Sequence, residues 1–229
     1  MQTIGLIGGM SWESSASYYR LLNLGVQDRL GGLSSPKLVL STVDFQELTQ
    51  FEDEERWDQI GTLLADAAQG VERAGADFLL LCTTTFHKVA EQVEAAVDIP
   101  LLHLGDVVAQ ACLDEGMAKV GLIGTTVAMS EPFFTDRLAS HGLEVIVPPA
   151  ADHEWLNTAI YEELVHGVVL PRTRSRVVDL IERLWDDGAN GVLLGCTELE
   201  LLVKQADAEL PLFPCTSLHV AAALDRALA

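Results

Sequence analysis

The chain carries the same pattern twice. Thr3-Ile4-Gly5-Leu6-Ile7-Gly8 recurs half a chain later as Lys119-Val120-Gly121-Leu122-Ile123-Gly124. Gly75-Ala76-Asp77-Phe78-Leu79-Leu80-Leu81-Cys82-Thr83 recurs as Gly188-Ala189-Asn190-Gly191-Val192-Leu193-Leu194-Gly195-Cys196-Thr197, with one extra residue before the cysteine. Two halves written alike must each bury the same strands in the same way. The duplication therefore predicts two pseudosymmetric lobes facing each other across a cleft.

Short apolar runs alternate with longer amphipathic stretches, the pattern of βα units around a mainly parallel sheet, so the fold class is α/β. Strands are expected at Ile4–Gly8, Leu38–Val43, Phe78–Leu81, Leu101–His103, Val120–Gly124, Glu144–Val147, Val192–Leu194 and Leu212–Phe213. Helices are expected at Ser14–Leu30, Trp57–Ala74, Phe133–Ser140, Thr158–Leu164, Arg174–Trp185 and Leu218–Leu228. Glycines follow many of them, as at Gly75 and Gly188, where a left-handed residue closes a helix. The acidic stretch Phe45–Arg56 reads as a solvated loop, with a mobile lid as the sharper alternative. The tail has no counterpart after the second Cys-Thr. The expected division is residues 1–100 with 206–229 in one lobe and 101–205 in the other.

At 229 residues and 49% apolar content the chain has ample core. No apolar run reaches the length of a membrane helix, and Met1-Gln2-Thr3-Ile4-Gly5 lacks a basic leader, so a cytoplasmic location is expected. The four cysteines lie far apart, without CxxC or Cys/His metal spacing, and read as free thiols in a reducing compartment. The formal charge of −20, from 34 acidic and 14 basic residues, repels nucleic acid and anionic membranes as partners. An anionic small molecule would have to be held by local donors, such as helix N-terminal amides.

Ligands of open α/β sheets bind beyond the carboxyl ends of the strands. Cys82 and Cys196 both stand there, at strand-to-helix turns where free N–H groups and the helix dipole are expected to lower a thiol pKa toward neutrality. Thr83, Thr84, Thr85 and Thr197 add hydroxyls, and Glu198 is a polar candidate beside Cys196. A lone cysteine after a strand is usually a small buried hydrophobe. Cys112 fits that reading, and Cys215, despite its own Cys-Thr, is also read as packing. For Cys82 and Cys196 the repetition reverses the argument. Two opposed thiols supply a base on one face of a substrate carbon and an acid on the other, which is what racemisation requires. His87 either tunes Cys82 or caps a neighbouring loop. The remaining histidines show no metal spacing, and neither a Walker A lysine nor G-x-G-x-x-G is present. No metal or cofactor is assigned.

Gly8-Gly9-Met10-Ser11-Trp12-Glu13-Ser14, Leu81-Cys82-Thr83-Thr84-Thr85-Phe86-His87 and Gly195-Cys196-Thr197-Glu198 together resemble the aspartate/glutamate racemase family, most closely its broad-specificity branch. The resemblance spans the chain. It implies two α/β lobes with the active site in the cleft between them, a homodimer, no cofactor, and an amino-acid substrate. It also implies Cys82 and Cys196 as the acid/base pair, with Met10, Ser11, Thr83, Thr85, Thr125 and Thr197 near the substrate. Two departures stand out. The family's usual Cys-x-Asn-Thr has Thr84 at the asparagine position. The loop after the second strand, Asp44-Phe45-Gln46-Glu47, lacks the arginine that aspartate-specific relatives place there, and the next arginine is Arg56. The expected reaction is two-base proton transfer at Cα on aspartate, glutamate or a broader amino-acid set. The alternatives are a related two-cysteine enzyme, of hydantoin racemase, maleate isomerase or decarboxylase type, and a non-catalytic amino-acid binder.

Overall fold

The computed structural model describes residues 1–229. Their elements run β1 (Thr3–Gly8), α1 (Trp12–Leu30), β2 (Lys37–Thr42), α2 (Phe45–Asp53), α3 (Trp57–Arg73) and β3 (Phe78–Leu81). A 3-10 turn (Thr85–Val89), α4 (Ala90–Glu94), α5 (Leu104–Asp114), β4 (Lys119–Ile123), α6 (Thr126–Ser130), α7 (Pro132–Ser140) and β5 (Glu144–Ile146) follow. The chain closes with α8 (Ala150–Glu162), α9 (Pro171–Asp186), β6 (Gly191–Leu194), α10 (Thr197–Leu202), β7 (Leu212–Pro214) and α11 (Cys215–Leu228).

Two all-parallel sheets result, in the orders β2-β1-β3 and β5-β4-β6-β7. The α/β expectation holds, and the repetition extends to single hydrogen bonds. Asp77 N–H donates to Thr3 O at 2.8 Å, and Asn190 N–H to Lys119 O at 2.7 Å. Leu79 N–H reaches Pro100 O and Val192 N–H reaches Pro211 O, each at 2.9 Å. Leu101 makes one parallel bridge to Leu79 where β7 lies beside β6, so the strand expected at Leu101–His103 is reduced to a bridge.

This register corrects the reading of the tail. β7, expected with the first lobe, pairs with β6 in the second sheet, and its counterpart is the bridge at Leu101. Ile99-Pro100-Leu101 and Leu210-Pro211-Leu212 are the matching words; they are too short to stand out in the sequence. A helix follows each, α5 in the first copy and α11 in the second. The chain divides into two units, Met1–Leu104 with His219–Ala229, and Gly105–Leu218. The first boundary thus falls at the first residue of α5 and the second within α11.

Within the first unit the sheet is apolar on both faces, as a parallel sheet covered by helices must be. Side chains alternate along each strand, so Ile4, Leu6, Phe78, Leu80 and Cys82 face α1 and α11, packing on Tyr18, Leu22, Val26, Val220 and Leu224. Ile7, Leu79 and Leu81 face the other way, onto Leu48, Ile60, Leu64, Ala68 and Val71. Gly5 and Gly121 occupy the same place in the repeat for the same reason. A Cβ on Gly5 would stand 2.4 Å from Val71 Cγ1, and one on Gly121 2.8 Å from Leu184 Cδ1, so α3 and α9 sit against bare backbone.

Phe45–Arg56 is not a solvated loop. Phe45, Leu48 and Phe51 recur every third residue and lay one apolar stripe on the core, and Asp44 caps α2 by accepting from Gln46 N–H at 3.0 Å. The helix expected at Thr158–Leu164 lies at Ala150–Glu162, and α5 was not expected at all. No helix is long and apolar enough to cross a membrane.

Candidate active site

In the first unit the turns after β1 and β3 come together because their strands are paired, with Ile7 opposite Leu81. Gly9 makes the first turn possible. Its φ is +94°, and a Cβ there would lie 2.2 Å from Val43 O. The Met10–Ser11 peptide after it is cis. Ser11 caps α1, its hydroxyl accepting from Ser14 N–H at 3.2 Å, and Ser15 Oγ accepts from Gly9 N–H at 2.7 Å. Met10 is a member of the apolar core. Ser14 Oγ–H donates to Cys82 O at 2.8 Å and so ties the first turn to the cysteine.

Cys82 N–H completes the ladder to Ile7 O at 2.9 Å, and its side chain is buried in the α1/α11 core. Thr83, Thr84 and Thr85 follow, all buried. His87 spans this turn. Its Nδ1–H donates to Thr83 O at 2.7 Å, and its Nε2 accepts from Leu104 N–H at 3.2 Å, an arrangement open to the neutral imidazole. The His103 ring lies 4.7 Å from it edge to face.

The second unit repeats the plan one residue out of step. Ile123 is opposite Leu194, and it is Gly195 N–H, not the cysteine, that bonds Ile123 O, at 2.8 Å. The extra glycine therefore takes the place of Cys82, and Cys196 takes that of Thr83. Cys196 is partly exposed where Cys82 is buried. Its thiol donates to Glu198 Oε2 at 2.9 Å, and Glu198 is itself only 4% exposed. Thr197 bonds Thr216 through their hydroxyls at 3.0 Å. Thr125, beyond the paired strand β4, caps α6 by accepting from Ala128 N–H at 3.3 Å. Asn157 Oδ1 accepts from Thr126 N–H at 3.0 Å.

The expectation of thiols lowered toward neutrality is reversed. Burial pushes the Cys82 thiol well above its ordinary range. Cys196 is raised by burial first and then by the charge of Glu198. The helix dipole cannot offset this, because Cys82 precedes a five-residue 3-10 turn and Cys196 a six-residue helix. Both thiols are thus pushed toward the protonated form, and the Glu198 carboxylate is in hydrogen-bond contact with one of them. Cys112 and Cys215 are buried as well, with Cys112 pushed up to about 12 by burial. No group of three His, Cys, Asp or Glu side chains is gathered to hold a metal ion.

Within each unit, then, the expected residues assemble. Met10, Ser11 and Cys82–Thr85 share one strand end, and Thr125, Cys196, Thr197 and Glu198 share another. The site's supporting partners Ser14, Asn157, Glu200 and Thr216 went unread. Ser14 carried a signal as the end of the first motif, and Thr216 as part of a third strand-end Cys-Thr.

The family model for Asp/Glu/hydantoin racemases matches residues 7–223. The chain belongs to that family. The protein is accordingly a racemase, an isomerase. A crystal structure from Yersinia pestis, provisionally assigned as an Asp/Glu racemase, is 43% identical with a TM-score of 0.93, covering 100% of both chains. An aspartate racemase homologue from Pyrococcus horikoshii OT3 is 33% identical with a TM-score of 0.88, again over 100% of both. The broad specificity amino-acid racemase of Bacillus subtilis is 23% identical over 158 residues, taking in 68% of this chain and 66% of that relative. The two-lobed fold of these structures agrees with the two parallel sheets and flanking helices described above.

Proposed function

We propose that the protein is a cofactor-independent amino-acid racemase in which Cys82 and Cys196 exchange protons with Cα. The observation that carries this reading is the Cys196–Glu198 contact: a partly exposed thiol hydrogen-bonded at 2.9 Å to a buried carboxylate. Glu198 can take the thiol proton and leave a thiolate. That thiolate removes the α-proton, forming an S–H bond while the C–H electron pair moves into the substrate carboxylate. The opposite thiol gives its proton to the other face of Cα and becomes the thiolate, so the reverse reaction starts from the mirror-image product. The donors that would stabilise the charge on the carboxylate are the hydroxyls and turn amides at Ser11, Thr83, Thr84, Thr85, Thr125 and Thr197. Cys82, being buried, has to be uncovered when substrate arrives.

The substrate set is proposed to be broader than the acidic amino acids. Arg56 is held at 2.6 Å by Glu54, by Gln59, and over the ring of Phe51, so it is committed to its own segment. A formal charge of −20 adds no attraction for a second carboxylate. The proposal includes a homodimer in a reducing cytoplasm, where the four free thiols persist. Light scattering on the eluted protein tests the dimer.

The deciding experiment is α-proton exchange in D₂O, read by NMR over the L-amino acids and several D-forms, with hydantoins and maleate alongside. Exchange with loss of optical activity on an amino acid is the expected result. Cys82→Ser and Cys196→Ser should each nearly abolish it, and a variant that keeps most of its turnover refutes the two-base mechanism. Binding without exchange would make the protein a binder.

A further inference from the structure

The elements that carry the two cysteines are too short to hold themselves. Cys196 is the N-cap of a six-residue helix and makes no side-chain cap bond, and Cys82 leads into a five-residue 3-10 turn. Helical pieces of this length are not stable alone. Each carries a side chain that fastens it to the first turn of a longer helix. In the second unit Glu200 Oε1 accepts from Thr216 N–H at 2.6 Å, and its Oε2 accepts from Ser217 Oγ at 2.8 Å, both at the start of α11. Thr216 Oγ1–H then donates to Thr197 Oγ1 at 3.0 Å, closing a loop onto the residue after Cys196. In the first unit His87 plays the same part, joining Thr83 O, beside Cys82, to the N–H of Leu104 at the start of α5.

The likeness is geometric rather than chemical. One clamp is an imidazole and the other a carboxylate, yet both satisfy an amide that the start of a helix leaves unpaired. Glu200 and His87 are buried, and neither contacts its cysteine in these bonds.

We propose that Glu200 and His87 are positioning residues, each fixing its own Cys-Thr turn by fastening it to the first turn of a longer helix, α11 and α5 respectively. This rests on the racemase reading for its catalytic consequence, but not for its structural one.

The test uses the full chain with Glu200→Ala, Glu200→Gln, Thr216→Val, His87→Ala and His87→Gln. The first readout is the rate of iodoacetamide labelling at each cysteine, resolved by peptide mass spectrometry. Loss of a clamp removes about one charge-assisted or buried hydrogen bond, so labelling should rise roughly tenfold at the adjacent cysteine and stay unchanged at the distant one. Glu200→Gln keeps an acceptor for Thr216 N–H and should label like the unaltered protein. His87→Gln places an amide oxygen where Nε2 stood and should recover part of the loss. Thr216→Val removes only the hydroxyl link and, being nearly isosteric, serves if Glu200→Ala does not fold. The second readout is α-proton exchange. The alanine variants should lose on the order of 10²-fold in kcat, as misplaced catalytic groups do, with KM nearly unchanged. Labelling that rises equally at both cysteines, or not at all, overturns the clamp, and so does a Glu200→Gln protein as damaged as Glu200→Ala. Should the unaltered protein exchange no α-proton, the racemase reading fails, and the labelling still decides the clamp.

Discussion

The sharpest test of the tail's course is a double replacement at Leu224 and Gly25. Leu224, on α11, is 3% exposed and packs among Tyr18, Leu22 and Val26 on α1. Gly25 lies in the middle of α1, and a Cβ added there would meet Leu224 Cδ1 at 2.2 Å, then Leu224 Cγ at 3.6 Å and Cδ2 at 3.8 Å. Every obstructing atom thus belongs to one side chain. Leu224→Ala alone leaves a cavity and should cost about 2 to 5 kcal/mol. Gly25→Ala alone overpacks by about 1 to 3 kcal/mol, offset by about 1 kcal/mol of helix propensity, for a net cost of roughly 0 to 2 kcal/mol. With Leu224 already cut back, the obstruction is gone and only the propensity gain of about 1 kcal/mol remains. The second replacement should therefore turn from neutral or harmful to helpful, with a coupling of about 1 to 3 kcal/mol. Urea unfolding followed by circular dichroism gives the four stabilities of the cycle, with the slopes checked for constancy. Additivity within about 0.5 kcal/mol would mean that α11 does not lie on α1 and that the first unit is closed in some other way.

Glu198→Gln removes the second of the causes that raise the Cys196 thiol, leaving burial in force, so Cys196 should label with iodoacetamide from a lower pH than in the unaltered protein; an unmoved profile refutes the Cys196–Glu198 contact. His219 is lowered to about 4 from an ordinary 6.5, by burial first, and is held neutral between Tyr18 Oη at 2.9 Å and Leu102 O at 2.7 Å. Its folded pKa lies below its unfolded one, so its contribution is complete above about pH 6.5 and lost as pH falls toward 4, a change on the order of 3 kcal/mol. Urea midpoints measured from pH 7 to 4 should show that slope, and His219→Gln should flatten it. Gly9→Ala forces a side chain into φ +94° and against Val43 O at 2.2 Å. It should destabilise by at least about 1 kcal/mol and displace the Met10–Ser11 turn, read as a fall in thermal midpoint together with a fall in exchange activity.

Local pattern decided most of the framework. Strand positions came through because a buried parallel strand is a short continuous apolar run, and Phe78–Leu81 is that and nothing else. The glycines at 75 and 188 came through because both take left-handed φ, +94° and +92°, after α3 and α9. The cysteine pair stood out because a repeated dipeptide survives where single residues carry little weight. Elements that failed to show were those whose identity depends on what they touch. α2 looked like an acidic loop because its three core contacts are diluted by carboxylates that face outward. α5 went unseen, and the bridge at Leu101 is too short to carry a period.

By itself the sequence determined that the chain is an α/β protein written twice, and that a thiol ends a strand in each copy. Its halves could not have been read otherwise, since period and repetition are properties of the chain. The extra residue before the second cysteine was legible too; only the tertiary structure decided what it does to the two thiols. The extra Gly195 takes the ladder bond that Cys82 makes in the first copy, so one thiol turns into a core and the other turns to Glu198. It also decided that burial pushes both thiols upward rather than toward neutrality, the helical pieces beside them being very short. Side-chain direction, desolvation and partner distance are fixed only by neighbours remote in sequence.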